Sequence, residues 1–395
     1  MRHVVVILDG AAGWPIEALG DRTTLQAAAT PHLDALAREG VVGLARTIPI
    51  GEEPSSAAAC ASILGYDPVR DRVGRGAIEA ASMGIELAPG EVALRLNLVT
   101  VVNGVMRSYS AGHITTEESH TILGELAEEF AADERFEFHP GVAYRHVMVV
   151  KGHPELMETA FTPPHDIPDK PVAGHLPKGP GAAVLLALME RARPVLSGSE
   201  VNARRRSAGR LPATDVWPFW PGVAPAGLVP FGELRGASAA LTSGVDLLRG
   251  LATLTGIERL DIPGVTDGPD NDYTAQVQGA LAALDEHDVV VVHVESPDEA
   301  GHGGDVSAKI AAIEAIDREV VARLRERRGK LRILALPDHP TPIALRTHVD
   351  EPVPFVLHGP GLTGPSAAAY SEPDAGGTGL VVDPGSELMG MLLLP

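Results

Sequence analysis

The residues best suited to chemistry are carboxylates and imidazoles late in the chain. Asp298 and His302 lie four residues apart, Asp338 and His339 are adjacent, and His348 follows nine residues later. A four-residue spacing puts two side chains on one side of a helical turn. Phosphoryl transfer often uses two cations about 3.5–4 Å apart, which neutralise phosphate oxygens and activate a nucleophile. The pattern therefore predicts a two-metal site.

Two earlier residues can complete this site. Asp9 directly follows the apolar run Val4–Leu8, and Ser56 precedes an alanine-rich helical stretch. A helix N-terminus stabilises both an alkoxide and a phosphoserine, so Ser56 is the candidate nucleophile. The alternative is that Ser55 or Ser56 merely caps this helix. Mixed nitrogen and oxygen ligands favour Mn²⁺ or Zn²⁺, with Mg²⁺ or Co²⁺ as alternatives.

A second set of candidates is basic and lies in the middle of the chain. Its members are Arg75, Arg95, Arg145, Arg205, Arg210, His113 and the pair His165 and Asp166. Arginine forks bind phosphate and carboxylate groups with two hydrogen bonds. These residues predict a binding site for a small phosphorylated carboxylic acid, with Arg75 and Arg145 the best candidates because their neighbours are small or apolar.

Short β-branched runs alternate with helical patterns outside the middle region. The predicted strands are Val4–Leu8, Val289–Val294, Arg332–Leu336 and Val353–Leu357. The predicted helices are Thr30–Arg38, Ala57–Ile63, Ser243–Thr255, Thr274–Glu286 and Ala308–Arg325. Such alternation predicts an α/β fold, a parallel sheet with helices on both faces. Ligands collect at the carboxyl ends of such strands, where the candidate metal ligands follow.

The domain organisation follows from length and local composition. A chain of 395 residues exceeds what one core usually organises. Proline- and glycine-rich segments at 162–181 and 211–222 give the middle a different texture. We therefore predict a smaller α/β domain at 72–231, inserted into a metal-binding domain formed by 1–71 and 232–395.

Composition excludes several classes of function. A formal net charge of −20 disfavours nucleic-acid binding, which needs a basic surface. The single Cys60 leaves no internal disulfide and fits a reducing compartment. The N-terminal apolar run is too short for a signal peptide or a membrane span. A soluble cytoplasmic protein without a membrane role is the expectation.

Ordered motifs along nearly the whole chain resemble those of the archaeal-type cofactor-independent phosphoglycerate mutases of the alkaline phosphatase superfamily. They are Ile7–Gly10, Thr24–Asp34, Leu64–Pro68, Gly74–Ala80, Ser110–Thr115, Tyr144–His146, Pro163–Pro168, Val245–Leu247, Ser296–His302 and Pro337–Pro342. The resemblance implies an alkaline-phosphatase-like domain interrupted by a smaller substrate-handling domain.

The resemblance also implies roles for the candidates. One metal ion would be bound by Asp9, Ser56, Asp338 and His339, and the other by Asp298, His302 and His348. Ser56 would take the phosphoryl group from 3-phosphoglycerate and return it to the other hydroxyl of the glycerate, with no bisphosphoglycerate cofactor. His113 would serve as acid and base, and Arg75 and Arg145 would orient the substrate.

Several positions depart from the family pattern. The usual Gly and Asp around the nucleophile are Ser55 and Ala57 here, a tryptophan-rich run reads Trp217–Gly222, and a usual Lys is replaced by Gln276. These departures leave two alternatives open. One is a relative of altered specificity, such as a phosphatase or a homoserine-kinase-like phosphotransferase. The other, a catalytically silent scaffold, is disfavoured because every candidate ligand is retained.

Overall fold

A computed structural model describes residues 1–327 and 329–394. The strands are β1 (Arg2–Leu8), β2 (Val41–Ala45), β3 (Glu91–Val102), β4 (Val105–Ser108), β5 (Phe136–His139), β6 (Arg145–Lys151), β7 (Asp215–Val223), β8 (Ala239–Thr242), β9 (Glu258–Arg259), β10 (Val289–Val294), β11 (Leu331–Leu336), β12 (Val353–His358) and β13 (Val381–Val382). Three predicted strands correspond to β1, β10 and β11.

The helices are α1 (Thr24–Ala27), α2 (Pro31–Glu39), α3 (Ser56–Ile63), α4 (Arg75–Ser82), α5 (Thr116–Phe130), α6 (Ala182–Gly198), α7 (Glu200–Ser207), α8 (Phe231–Arg235), α9 (Asp246–Leu254), α10 (Tyr273–Ala283), α11 (Ser296–Gly303), α12 (Val306–Ala315), α13 (Ala322–Arg325), α14 (Glu372–Gly377) and α15 (Glu387–Leu393). They include counterparts of the five predicted helices, which overlap α2, α3, α9, α10 and the pair α12 and α13. Among the described residues, no helix combines the length and apolarity needed to cross a bilayer.

Backbone contacts divide the chain into two compact units. The first unit consists of Met1–Arg72 and Gly227–Pro395, and the inserted unit is Val73–Ala226. The first unit contains an eight-stranded sheet in the order β13-β2-β12-β11-β1-β10-β8-β9. Its centre is parallel, since β1 pairs in parallel with both β10 and β11. All three strands are almost entirely buried, as expected for a parallel sheet covered on both faces.

One strand prediction is wrong in its direction. The run Val353–Leu357 does form β12, but β12 is antiparallel to β11 and to β2. Its buried apolar sequence matches that of the parallel strands. The composition of a strand indicates whether it is buried but not its direction. Because β12 is antiparallel to both neighbours, the sheet is mixed on this side. The α/β fold class itself is confirmed.

The predicted helix Ala308–Arg325 is interrupted. A π-helical turn, Ile316–Val321, separates α12 from α13. Its buried Asp317 accepts hydrogen bonds from the backbone N–H groups of Leu33 at 2.7 Å and His32 at 3.2 Å. These donors open α2, whose own N-cap makes no side-chain hydrogen bond. The extra residue in the π turn lets a distant carboxylate cap a second helix.

The inserted unit has its own sheet and core. Here the sheet is antiparallel: β3 pairs with β4, β6 and β7, and β5 pairs with β6. Helices α5 and α6 contribute apolar faces to its core. The long strand β3 thus organises this unit, and helices pack on it as in an α/β layer structure.

Candidate active site

Three neighbouring strands of the first unit end at the same level. Leu8 of β1 lies opposite Val294 of β10, and Ile7 lies opposite Leu336 of β11. Asp9 follows β1 directly, and Asp338 comes two residues after β11. Parallel strands present their carboxyl ends at one edge, so the carboxylates converge there.

The inner group consists of Asp9, Ser56, Asp338 and His339. The Nε2 atom of His339 lies 3.2 Å from Ser56 Oγ, 3.3 Å from Asp338 Oδ2 and 3.6 Å from Asp9 Oδ1. Both carboxylates and the imidazole have 0% exposed side chains. Backbone N–H groups of Gly10 and His339 donate to Asp338 Oδ1, which leaves Oδ2 facing the group.

The structure separates the two serines ahead of α3. Ser55 is the N-cap, and its Oγ accepts a hydrogen bond from the backbone N–H of Ala58 at 3.3 Å. Ser56 is the first residue of the helix, and its Oγ faces the His339 ring. Because Ser55 provides the cap, the Ser56 hydroxyl is available for chemistry at the helix N-terminus.

The outer group consists of Asp298, His302 and His348. His302 Nε2 lies 3.0 Å from Asp298 Oδ2, and His348 Nε2 lies 3.6 Å from that same oxygen. The two Nε2 atoms are 2.9 Å apart. Helix α11 carries Asp298 and His302 one turn apart, as the four-residue spacing predicts. His302 Nδ1 donates to the carbonyl of Arg346, so the Nε2 lone pair of the neutral ring points into the group.

Electrostatics distinguish the two groups. Burial, followed by the charges of Asp338 and Asp298, raises the pKa of Asp9 well above its usual range. Burial alone would also raise the pKa of Asp298, but hydrogen bonds from His302 and His348 outweigh it and hold that pKa well below its usual range. The same contact with Asp298 raises the pKa of His302 to about 9. Cations bound at these groups would compete with protons for the same ligand atoms.

The donor set fits divalent cations. In residues 1–327 and 329–394, three sets of side chains have ligand atoms within 4.8 Å of one another: Asp298, His339 and His348; Asp9, Asp338 and His339; and Asp9, His293 and Glu295. Asp9 Oδ1 is buried without a hydrogen-bond partner in the described part of the chain. A buried carboxylate oxygen without a donor is costly unless a cation compensates it. Carboxylate and imidazole ligands together suit transition metals.

Two residues beside the inner group were not predicted from the sequence. His293 is buried in β10, and its Nε2 lies 2.7 Å from Asp9 Oδ2. Glu295 lies just beyond that strand, 3.8 Å from the same ring nitrogen. The only sequence signal is one His inside the run Val289–Val294, a pattern that a satisfied core histidine also explains. Gln276, one of the departures, is buried and donates to the backbone carbonyl of His293.

The predicted basic residues lie in the inserted unit, where several of them meet. We call Arg75, Glu79, Arg95, His165 and Trp220 the basic cluster. Glu79 lies 3.1 Å from Arg75 Nε and 2.5 Å from Arg95 Nη1. The Arg75 guanidinium lies 4.4 Å from the centre of the Trp220 ring, and the His165 ring packs edge-on against Trp220. One carboxylate thus sets two arginines side by side.

Backbone geometry explains the position of Trp220. The register between β3 and β7 shifts between Leu94 and Arg95, and Trp220 is the extra residue of this bulge. Its φ of 50° lies in the left-handed region, which is strained for a bulky side chain. The run Trp217–Gly222 therefore contains a strained bulge beside the Arg75 side chain. Such strain often accompanies function.

The remaining predicted residues are distributed differently. Arg205 has a fully buried side chain that donates to Glu118 and to the backbone carbonyls of Ala111, Gly112 and Leu211. These contacts occupy the guanidinium within the protein, so the geometry contradicts the predicted substrate contact. Arg205 instead holds the loop that precedes His113.

That loop is itself unusual. Ala111, Gly112 and His113 have φ values of 47°, 63° and 52°, three consecutive left-handed residues that leave the His113 side chain exposed. Arg145 is also exposed, at the start of β6, beside the ring of Tyr144. The Asp166 side chain is 59% exposed, 3.9 Å from His165 Nε2. None of the three belongs to the basic cluster as defined above.

The fold and this site define a class: an α/β protein with a buried carboxylate and imidazole centre at the strand ends, interrupted by an antiparallel inserted unit. The family model of 2,3-bisphosphoglycerate-independent phosphoglycerate mutase matches residues 37–202. A mutase of that name from Methanothrix thermoacetophila is 46% identical, covering 100% of both chains. A probable one from Geobacter sulfurreducens is 44% identical, again over 100% of both.

Solved structures agree with this assignment. The cofactor-independent phosphoglycerate mutase of Thermoplasma acidophilum has a TM-score of 0.69 and 27% identity, covering 100% of this chain and 99% of its own. A Pyrococcus horikoshii protein has a TM-score of 0.85 and 26% identity, covering 99% and 96%. The chain belongs to the 2,3-bisphosphoglycerate-independent phosphoglycerate mutase family, as its motifs predict.

Proposed function

We propose that the chain interconverts 3-phosphoglycerate and 2-phosphoglycerate by two-metal phosphoryl transfer through a phosphoserine at Ser56. One observation carries the proposal. Ser55 is engaged as the helix cap, whereas the Ser56 hydroxyl lies 3.2 Å from His339 Nε2 in a group of buried carboxylates. A hydroxyl at a helix N-terminus beside such a group is suited to covalent catalysis.

The inner and outer groups would each hold one ion, through the residues that define them. Mn²⁺ or Zn²⁺ suits these ligands best, with Mg²⁺ or Co²⁺ as alternatives. When bound, two such ions neutralise phosphoryl oxygens and lower the pKa of a nearby hydroxyl. Asp9 and Asp338 would contribute carboxylate oxygens, and the fold holds both side chains in place because they are fully buried.

The chain's own residues carry the transfer in two steps. Ser56 Oγ, after losing its proton to solvent, forms a bond to phosphorus while the bond from phosphorus to the C3 oxygen breaks, and that oxygen takes a proton from His113. The C2 hydroxyl then returns a proton to His113 and attacks the phosphoserine, and the bond from phosphorus to Ser56 Oγ breaks, which releases that oxygen in its deprotonated form. We assign both proton transfers to His113, whose exposed ring follows a turn fixed by Arg205.

The basic cluster would bind the anionic groups of the substrate. Arg75 and Arg95 are set side by side by Glu79, and the arginine side chains are 39% and 13% exposed. Guanidinium groups held in this way match carboxylate and phosphate geometry. Arg145, His165 and Asp166 would contribute further contacts to the same small phosphorylated acid.

Phosphorus NMR tests the proposal directly. The purified protein is incubated with Mn²⁺ and 3-phosphoglycerate, and 2-phosphoglycerate and free phosphate are followed in one sample. We expect 2-phosphoglycerate without phosphate, and no reaction in a sample treated with a chelator. Phosphate alone would identify a phosphatase, and an unchanged spectrum would point to a phosphotransferase with another substrate. Either result would overturn the assignment.

A further inference from the structure

Thr341 lies where the inner and outer groups meet. It comes two residues after His339, and it is fully buried. Its Oγ1 lies 3.3 Å from His339 Nδ1 and makes a short hydrogen bond to Asp298 Oδ1. In this way one hydroxyl contacts a residue of each group.

The fold fixes this side chain firmly. The Thr341 backbone N–H donates to the carbonyl of Ala12, and the buried amine of Lys309 donates to the carbonyls of both Ala12 and Thr341. The Thr341 methyl faces Gly301, where an added Cβ would come within 2.8 Å of it. With backbone and methyl both held, the hydroxyl has one orientation.

The single proton of the Thr341 hydroxyl determines which ring nitrogen of His339 carries a proton. A threonine hydroxyl carries one proton, and a carboxylate only accepts, so this proton goes to Asp298. Oγ1 must then accept from His339, which places the ring proton on Nδ1. The lone pair of the neutral ring is therefore on Nε2, the atom that faces Ser56 and the carboxylates of the inner group.

The same contact divides the oxygens of Asp298. Oδ1 is engaged by Thr341, and Oδ2 is left facing His302 and His348. The close approach also requires a glycine at position 10, where a Cβ would lie 2.3 Å from Asp298 Oδ1 and 2.6 Å from Thr341 Oγ1. The chain thus keeps a residue without a side chain, at a φ of +59°, beside this hydrogen bond.

We propose that Thr341 is a positioning residue that couples the two metal groups, selecting the metal-binding tautomer of His339 and leaving Asp298 Oδ2 free for the other ion. This rests on the proposed function, in that both groups are taken to bind cations. Hydrogen-bond partners of metal ligands typically change metal affinity by about 10–100-fold. Here one hydroxyl serves ligands of two different ions.

The test is Mn²⁺ binding to chelator-treated protein, measured by calorimetry and elemental analysis. Thr341→Val removes the hydroxyl and keeps the shape, and we expect affinity at both sites to fall about 10–100-fold. Thr341→Ser keeps the hydroxyl and should bind Mn²⁺ with an affinity within about threefold of the parent, since both hydrogen bonds of the hydroxyl are retained. The matched control is Thr242→Val, because Thr242 is a buried threonine of the same unit whose hydroxyl has no partner among the described residues.

The outcomes separate the two claims. A parent protein that binds fewer than two ions would overturn the proposed function, whatever the variants do. Two ions in the parent and unchanged affinities in Thr341→Val would overturn the role of Thr341 alone. If that variant does not fold, nitrogen NMR of the metal-free parent decides, with His339 assigned by substitution. A proton on Nδ1 supports the coupling, and a proton on Nε2 contradicts it.

Discussion

The first unit and the inserted unit hold their functional candidates in opposite ways. In the first unit the carboxylates are buried beside imidazoles, and Asp9 keeps an oxygen without a hydrogen-bond donor in the described part of the chain. In the basic cluster of the inserted unit the arginines are already paired, since Glu79 contacts both Arg75 and Arg95. The candidate metal ligands thus include a buried carboxylate oxygen without a donor, whereas the arginines of the basic cluster are paired and partly exposed.

This difference indicates different tasks. A set of buried carboxylates and imidazoles whose charges are not fully compensated is suited to binding cations, and so to the chemical step. Two arginines held side by side by one carboxylate keep further N–H donors for a substrate anion, so this set is suited to binding. Variants in the first unit should therefore lower kcat, and variants in the basic cluster should raise KM.

The largest effect is expected at the nucleophile. Ser56→Ala should lower kcat by on the order of 10⁴-fold or more, because no other hydroxyl replaces it in a covalent mechanism. Phosphoenzyme formation, measured by mass spectrometry after acid quenching, should also disappear. Ser55→Ala is the matched control. It removes the helix cap and should cost about 1 kcal/mol of stability while phosphoenzyme still forms. Phosphoenzyme in Ser56→Ala would move the nucleophile elsewhere.

The next effect concerns the outer group. His302→Ala should reduce the bound metal from two ions per chain to one by elemental analysis, because Asp298 and His348 alone hold a cation weakly. The inner group shares no ligand with His302 and should keep its ion. His153→Ala is the control, since His153 also pairs with a carboxylate, Glu155, but belongs to neither group. An unchanged metal count in His302→Ala would remove this residue from the metal site.

The sequence was most informative about functional residues that lie directly after a predicted strand. Asp9, Asp298 and Asp338 could be found because apolar runs give the strand ends, and parallel strands align those ends at one edge. The spacing of His302 from Asp298 also reads directly as a helical turn. These signals are local, so a single sequence carries them.

Contacts that depend on tertiary packing could not be predicted from the sequence. His293 sits in a buried strand, where one His among valines resembles core, and Thr341 stands in a proline-rich loop. Arg205 stands between Arg204 and Arg206, and only the orientation of α7 shows that Arg205 is buried while the Arg204 side chain is 67% exposed. The direction of β12 depends in the same way on neighbours far along the chain.

A smaller effect is expected in the basic cluster. Arg75→Lys keeps the charge and loses the planar fork over Trp220, so KM should rise about 10-fold with little change in kcat. Arg191→Lys is the matched control in the same unit, since Arg191 also lies over an aromatic ring, Phe130, and pairs with Asp133. Steady-state kinetics with 3-phosphoglycerate measures both. A fall in kcat at constant KM would assign Arg75 to the chemical step instead.

The last prediction separates a structural histidine from the candidate ligands. His146 is buried in β6, its Nδ1 accepts from the backbone N–H of Gly141, and its Nε2 has no partner among the described residues. Burial, reinforced by the charges of His120 and Arg95, lowers its pKa to about 3.

The unfolded chain would bind this proton near pH 6.5, so between pH 6.5 and about 3 it holds more protons than the folded state. Stability should therefore fall as the pH drops below 6.5, by about 2 kcal/mol at pH 5 from this group alone. Urea unfolding of the protein at pH 7 and pH 5, followed by a spectroscopic signal from the inserted unit, measures this fall in the free energy of unfolding. The fall should be smaller in His146→Gln and unchanged in His153→Gln. If the free energy of unfolding fell equally in the parent and in His146→Gln, His146 would be free to take up a proton in the folded protein. His146 would then not be a purely structural histidine, and its burial would not distinguish it from the candidate metal ligands.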